Sequence, residues 1–126
     1  MPLAVKICGL STTETVAAAV EGGAAMVGFV FFAKSPRNVS PQHVNVLAQN
    51  VPSHVTKVGL LVDASDDEIT NILKGAPLDM LQLHGGETPE RVSAIKAKFL
   101  LPVMKVIAVS DAADIEQARA YESIAD

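Results

Sequence analysis

The sequence has few of the residues that bind nucleic acids or cross-link secreted proteins. It has no tryptophan and one tyrosine, so it offers few aromatic rings on which bases could stack. It has no basic block, and its net charge of −4 is opposite in sign to a nucleic-acid-binding surface. The single cysteine, Cys8, excludes a disulfide within the chain. We therefore expect neither a nucleic-acid partner nor a secreted, disulfide-rich scaffold.

Long hydrophobic segments are also absent. The longest apolar run covers residues 24–33, well short of the ~20 residues that span a bilayer. The N-terminus lacks the pattern of a secretory signal peptide, which is a basic segment followed by an apolar run and a cleavage site. Lys6 interrupts the apolar residues at the start of the chain too early for such a run. We therefore expect a cytoplasmic protein that has no membrane partner.

The residues that are present predict alternating strands and helices. Hydrophobic residues make up 49% of the 126 residues and charged residues only 19%, a balance that favours a parallel sheet covered by helices. Five apolar, β-branched runs are too short for helices and are predicted to be buried strands. They lie at residues 5–8, 26–31, 55–62, 80–83 and 103–109.

Each predicted strand is followed by a helix-start signal, usually a serine or threonine that can cap free backbone N–H groups. Two of these signals have the spacing of a capping box, in which a glutamate three residues later bonds back. The boxes are Ser11 with Glu14 and Ser65 with Glu68. The other predicted starts are Ser40 with Pro41, Thr88 with Pro89, and Ser110 with Asp111.

Two architectures share this rhythm of strands and helices. An open, doubly wound sheet needs only five strands, whereas a (β/α)₈ barrel needs eight strands and roughly 200–250 residues. Periodicity does not choose between them, and the length of 126 residues would favour the open sheet. No flexible linker divides the chain, so residues 1–126 are expected to form a single domain.

In both architectures, functional side chains gather at the carboxyl ends of the strands. Cys8 could be a thiolate base or nucleophile, or only a small buried hydrophobic residue. Arg37 could bind a carboxylate or phosphate, or be a solvated loop residue. His84 could contact a ligand or simply end its strand. Asp63 could bind a ligand, but the sequence favours a role in ordering the turn before Ser65.

Several familiar cofactor and catalytic motifs are missing. The sequence contains neither a dinucleotide-binding glycine pattern nor a P-loop nor a nucleophile-elbow serine. His43, His54 and His84 do not have the spacing of a metal site around Cys8. The residues alone therefore indicate an α/β domain, without cofactor or metal, whose strand ends could bind an anion.

The strand-end motifs resemble the phosphoribosylanthranilate isomerase family. Five motifs occur in the family's order and at similar spacing: K-I-C-G at 6–9, G-F-V-F at 28–31, K-S-P-R at 34–37, V-G-L-L-V at 58–62 and Q-L-H-G at 82–85. One such motif would be weak evidence, but five in register are specific. The resemblance implies a parallel (β/α) barrel of TIM type that is truncated after the fifth β/α unit.

The resemblance also implies an activity without cofactor or metal. The family carries out an Amadori rearrangement in tryptophan biosynthesis, in which N-(5'-phosphoribosyl)anthranilate becomes 1-(2-carboxyphenylamino)-1-deoxyribulose 5-phosphate. The family's general base falls on Cys8, the arginine near the anthranilate carboxylate falls on Arg37, and a histidine of the barrel mouth falls on His84.

Two parts of the family's site are expected beyond residue 126. One is the general acid, an aspartate on the next strand, and the other is the set of phosphate-binding loops after the last two strands. Asp126 matches a residue that precedes that next strand and is not assigned as the acid. The 126 residues alone are therefore expected to be inactive, with an open sheet edge that invites association.

Two other functions stay open at this stage. One is a non-catalytic domain that binds a small anion on an open five-stranded sheet. The other is a different phosphosugar barrel enzyme, such as indole-glycerol-phosphate synthase, although the K-I-C-G cysteine and the S-P-R loop favour the isomerase. The sequence makes no prediction of oligomeric state.

Overall fold

Five short parallel strands lie side by side in the same order as they occur along the chain. A computed structural model describes residues 2–126. The strands are β1 (Lys6–Ile7), β2 (Met26–Val30), β3 (Thr56–Leu61), β4 (Met80–Leu83) and β5 (Val103–Lys105). The sheet order β1-β2-β3-β4-β5 never reverses. A doubly wound sheet reverses its order at a switch point, so this order is that of a TIM-type barrel with five of its β/α units.

A helix follows each strand. The helices are α1 (Thr13–Glu21), α2 (Pro41–Ala48), α3 (Asp66–Gly75), α4 (Pro89–Phe99) and α5 (Ala112–Arg119). The predicted starts of α2, α3 and α4 are confirmed, with the caps at Ser40, Ser65 and Thr88. The fifth start is confirmed at Asp111, which forms a capping box with Asp114.

The predicted capping box of α1 is wrong by one residue. Thr12, not Ser11, caps the helix, because its hydroxyl accepts the N–H of Thr15 at 3.2 Å. The Ser11 carbonyl instead bonds to His43 Nε2 of α2 at 2.7 Å. Ser11 and Thr12 have similar capping chemistry, so the sequence pattern alone does not choose between them.

The two faces of the sheet have different surroundings. Alternate residues such as Phe29, Leu81 and Leu83 belong to the hydrophobic core beneath the helices. Gln82, between two of them, is on the opposite face, which in a barrel is the interior. The carboxyl ends of all five strands meet at one edge, so the loops that follow the strands lie close together.

Candidate active site

Cys8 is held at the end of β1 by the neighbouring strand. The N–H groups of Gly9 and Leu10 both donate to the Gly28 carbonyl of β2, at 3.0 and 3.1 Å. The thiol is partly buried and lines a cavity of about 490 Å³. A side chain on a sheet is held more rigidly than one on a free loop, which suits a reacting group.

Arg37 reaches the same cavity from the loop after β2. The loop closes on itself, because the Asn38 N–H donates to the Ser35 carbonyl at 3.1 Å. It then returns to its own strand, where the Val39 N–H donates to the Val30 carbonyl at 3.0 Å. These bonds fix where the Arg37 side chain begins.

Gly9 provides the space that Arg37 occupies. Its φ of +80° favours glycine, and a Cβ at this position would lie 2.6 Å from Arg37 Cδ. Among residues 2–126, no side chain or carbonyl pairs with the exposed Arg37 guanidinium. The guanidinium can therefore bind an anionic ligand with its full set of donors.

His84 completes the group. It follows β4 directly, and its N–H donates to the Leu61 carbonyl of β3 at 2.9 Å. Its ring is exposed and lines the cavity that Cys8 and Arg37 line. The structure thus brings the three candidate side chains to one cavity, while their chemical roles stay predictions.

The remaining surface of the cavity is mostly apolar. The apolar side chains come from β2, β3 and the loops after them: Val30, Phe32, Leu60 and Val62. None of the lining residues in the described part of the chain is acidic. An apolar surface with one guanidinium suits a flat apolar group that carries an anion.

Asp63 connects the loop after β3 to the loop after β4. Its Oδ1 accepts the N–H of Gly86 at 2.8 Å, which ties the end of β3 to the loop after β4. Its own N–H donates to Glu87 Oε2 at 2.8 Å. Asp63 does not line the cavity of Cys8.

Sequence reasoning missed a buried ion pair beside the site. Glu87 Oε1 and Lys105 Nζ are 2.9 Å apart, with side chains only 3% and 4% exposed. Burial raises the pKa of Glu87, but hydrogen bonds from the Lys105 ammonium and the Asp63 N–H outweigh it, so the pKa lies below its usual value. The sequence did contain one signal of this pair, which was Lys105 inside an apolar strand. A lysine is rarely buried unless it has a charged partner.

Asp126 is engaged away from the cavity. It pairs with Lys96 at 2.8 Å, and its carboxylate accepts the Val103 N–H at 2.9 Å. Hydrogen bonds from Lys96 and from the Val103 N–H lower its pKa. Asp126 does not line the cavity, in keeping with its not being assigned as the general acid.

Two further features are absent from residues 2–126. No three histidine, cysteine, aspartate or glutamate side chains come together as a metal site. None of the described helices combines the length and the apolar character that crossing a membrane requires.

Known proteins match the chain over its whole length. The family model described as N-(5'phosphoribosyl)anthranilate (PRA) isomerase matches residues 5–125. A relative from Paramagnetospirillum magneticum is 52% identical over all 126 residues, and one from Brucella canis is 48% identical. Both are named N-(5'-phosphoribosyl)anthranilate isomerase. The chain spans 59% and 57% of their lengths.

Solved structures also match the chain. The phosphoribosyl anthranilate isomerase of Thermotoga maritima superposes with a TM-score of 0.91 at 34% identity, over 98% of this chain and 59% of that chain. Another isomerase structure, with a TM-score of 0.89 at 34% identity, contains reduced 1-(o-carboxyphenylamino)-1-deoxyribulose 5-phosphate. The superposition covers 98% of this chain and 62% of that one.

Proposed function

The chain belongs to the N-(5'-phosphoribosyl)anthranilate isomerase family, and we propose that it provides the base and part of the substrate site for that isomerisation. The substrate is N-(5'-phosphoribosyl)anthranilate and the product is 1-(2-carboxyphenylamino)-1-deoxyribulose 5-phosphate. The observation that carries the proposal is the single cavity lined by Cys8, Arg37 and His84. In this proposal residues 1–126 form one incomplete barrel domain, which needs the further β/α units of its longer relatives.

Cys8 acts as the general base in the proposed reaction. After the ribose ring opens, a Schiff base joins C1′ to the anthranilate nitrogen. The Cys8 thiolate takes the proton from C2′, the C–H electron pair forms the C1′=C2′ bond, and the C=N pair returns to nitrogen. A proton then adds at C1′ while the C2′ hydroxyl loses its own, which gives the ketone. Substrate and product are isomers, so the reaction consumes no other reagent. A general base works best when its pKa lies near the working pH.

Arg37 binds the carboxylate of the anthranilate ring. A planar guanidinium can donate two parallel hydrogen bonds to a carboxylate, which a lysine cannot do. The apolar residues of the cavity contact the ring, and His84 contacts the substrate at the cavity mouth. The general acid that opens the ribose ring and the phosphate-binding loops come from outside residues 1–126.

The ligand seen in a solved relative supports this choice of substrate. That relative holds a reduced form of the isomerase product. The ligand carries the carboxyphenyl group that suits an apolar cavity with an arginine. A small-molecule substrate and a cytoplasmic location belong to the same proposal.

The proposal is tested with a completed barrel. This protein joins residues 1–126 to the part of the Paramagnetospirillum magneticum relative that follows its match. Turnover is followed by the loss of anthranilate-type fluorescence, with the relative itself as the positive control. We expect turnover.

A completed barrel that has the relative's circular dichroism spectrum and binds the reduced product, but does not turn over, would contradict the proposal. That outcome would favour the non-catalytic anion-binding domain. If the joined chain does not fold, the two pieces are co-expressed as separate chains and assayed in the same way.

A further inference from the structure

The buried pair of Glu87 and Lys105 has no part in the proposed chemistry. Neither residue lines the cavity of Cys8, yet both side chains are almost fully buried. Burying two charges costs free energy unless hydrogen bonds satisfy nearly all of their donors and acceptors. The partners of this pair therefore indicate what it does.

Glu87 joins the ends of two strands through one carboxylate. Its Oε2 accepts the N–H of Asp63, which follows β3, at 2.8 Å. Its Oε1 accepts the N–H of Gly85, which follows β4, at 2.9 Å. Charge-assisted bonds of this kind are stronger than bonds between neutral groups.

Asp63 returns the contact from the other side. Its backbone has a φ of +49°, a left-handed conformation in which aspartate is tolerated better than most residues. Its carboxylate accepts the N–H of Gly86. A Cβ on Gly85 would lie 2.7 Å from the same carboxylate, so a side chain there would displace the carboxylate. Each loop thus provides a side-chain carboxylate that accepts a backbone N–H of the other loop.

Lys105 extends the contact to a third strand. Its Nζ donates to the Gly85 carbonyl at 2.7 Å as well as to Glu87. The Tyr121 hydroxyl, beyond α5, donates to the Glu87 carbonyl at 2.7 Å. We call Asp63, Glu87 and Lys105 the brace.

The brace fixes the residue that follows His84. Glu87 binds the N–H of Gly85 and Lys105 binds its carbonyl, so both neighbouring peptide groups are held. Among residues 2–126, no hydrogen bond holds the His84 ring itself. The orientation of the ring therefore depends on the backbone that the brace holds.

We propose that Glu87 and Lys105 are positioning residues that act through His84. This inference rests on the proposed function, in which His84 contacts the substrate. Displacing such a group by about 1 Å can cost up to ~100-fold in rate. The brace would then act on catalysis without touching the substrate.

A double-mutant cycle in the completed barrel tests the inference. We expect Glu87→Gln to lower kcat/KM roughly 10- to 100-fold. In a His84→Gln background, the same change should cost no more than about twofold, because the residue it acts through is already gone. Equal losses in the two backgrounds would mean that Glu87 has only a structural role, and would overturn the proposal.

A spectroscopic measurement separates this inference from the activity. Nuclear magnetic resonance of the ring protons distinguishes His84 from the other histidines of the completed barrel, because its signals vanish in His84→Gln. Glu87→Gln should shift the His84 signals and speed hydrogen exchange at the Gly85 amide. Unchanged His84 signals would overturn the proposal even if the completed barrel has no turnover.

Two further variants control for loss of folding. Asp79→Asn removes a carboxylate that pairs with Lys57 at the amino ends of β3 and β4, away from the brace, and it should leave the His84 signals in place. If Glu87→Gln does not fold, Tyr121→Phe removes only one hydroxyl from the network. It should move the His84 signals in the same direction by a smaller amount, and no movement in that variant would contradict the proposal.

Discussion

Arg37 lies over the K-I-C-G motif only because Gly9 lacks a side chain. The motif therefore combines two tasks, since Cys8 faces the cavity and Gly9 leaves space for the guanidinium. Sequence reasoning selected Cys8, Arg37 and His84 from their positions at strand ends; in the structure all three line one cavity, and their roles stay predictions. It missed the pair of Glu87 and Lys105, because their contact depends on the pairing of two strands.

Gly9→Ala is predicted to weaken ligand binding through Arg37. The matched control is Gly23→Ala, because Gly23 also has a positive φ, +88°, but a Cβ there would meet nothing within 4 Å. Both variants should lose about 1–2 kcal/mol of stability to backbone strain. Only Gly9→Ala should also lose affinity for the reduced product, measured by calorimetry on the completed barrel. Equal affinities in the two variants would show that Gly9 does not set the place of Arg37.

The helix starts show how far local chemistry predicts an element. Ser40, Ser65 and Thr88 were predicted correctly, because a cap and the helix it begins are adjacent in sequence. The start of α1 was predicted one residue early, because Ser11 and Thr12 have similar side chains and the structure shows that the Thr12 hydroxyl is the one that accepts the Thr15 N–H. The order of the strands in the sheet could not be predicted from hydrophobic periodicity either, because periodicity is a local property. The prediction of a barrel came from the family resemblance.

Thr12→Ala and Ser11→Ala are predicted to differ in stability. Thr12→Ala removes the cap of α1 and should lower the free energy of unfolding by about 0.5–2 kcal/mol. Ser11→Ala keeps the backbone carbonyl that binds His43, so its effect should stay within about 0.5 kcal/mol. Urea denaturation of the completed barrel measures both changes. The reverse ranking would place the cap at Ser11 after all.

The charged groups of the whole molecule make the folded state more stable at neutral pH than at acidic pH. Hydrogen bonds from ammonium, guanidinium or backbone N–H groups lower the pKa values of Asp66, Asp114 and Asp126, and that of Glu87 also lies below its usual value. The unfolded chain then binds more protons than the folded chain between the two pKa values of each group. The free energy of unfolding therefore rises with pH in that range.

Acidification is predicted to destabilise the protein, with part of the effect due to Glu87. The contribution of Glu87 is complete above its ordinary pKa of 4.5 and is lost as the pH falls through the lower pKa of the folded state. Glu87→Gln should be less stable than the parent at pH 7 and should lose less stability on acidification. Melting temperatures of the completed barrel from pH 7 to pH 3 measure this, with the exposed Glu122→Gln as control. Parallel pH profiles for parent and Glu87→Gln would show that the pair contributes nothing to acid sensitivity.

The most direct test of the central claim is the single-turnover rate of the completed barrel with Cys8→Ser. A serine hydroxyl keeps the size of the side chain but does not ionise near neutral pH, so it cannot replace a thiolate base. The predicted result is a loss of about 10²- to 10⁴-fold in rate, with binding of the reduced product retained. A Cys8→Ser variant that turns over as fast as the parent would contradict the claim that Cys8 removes the C2′ proton.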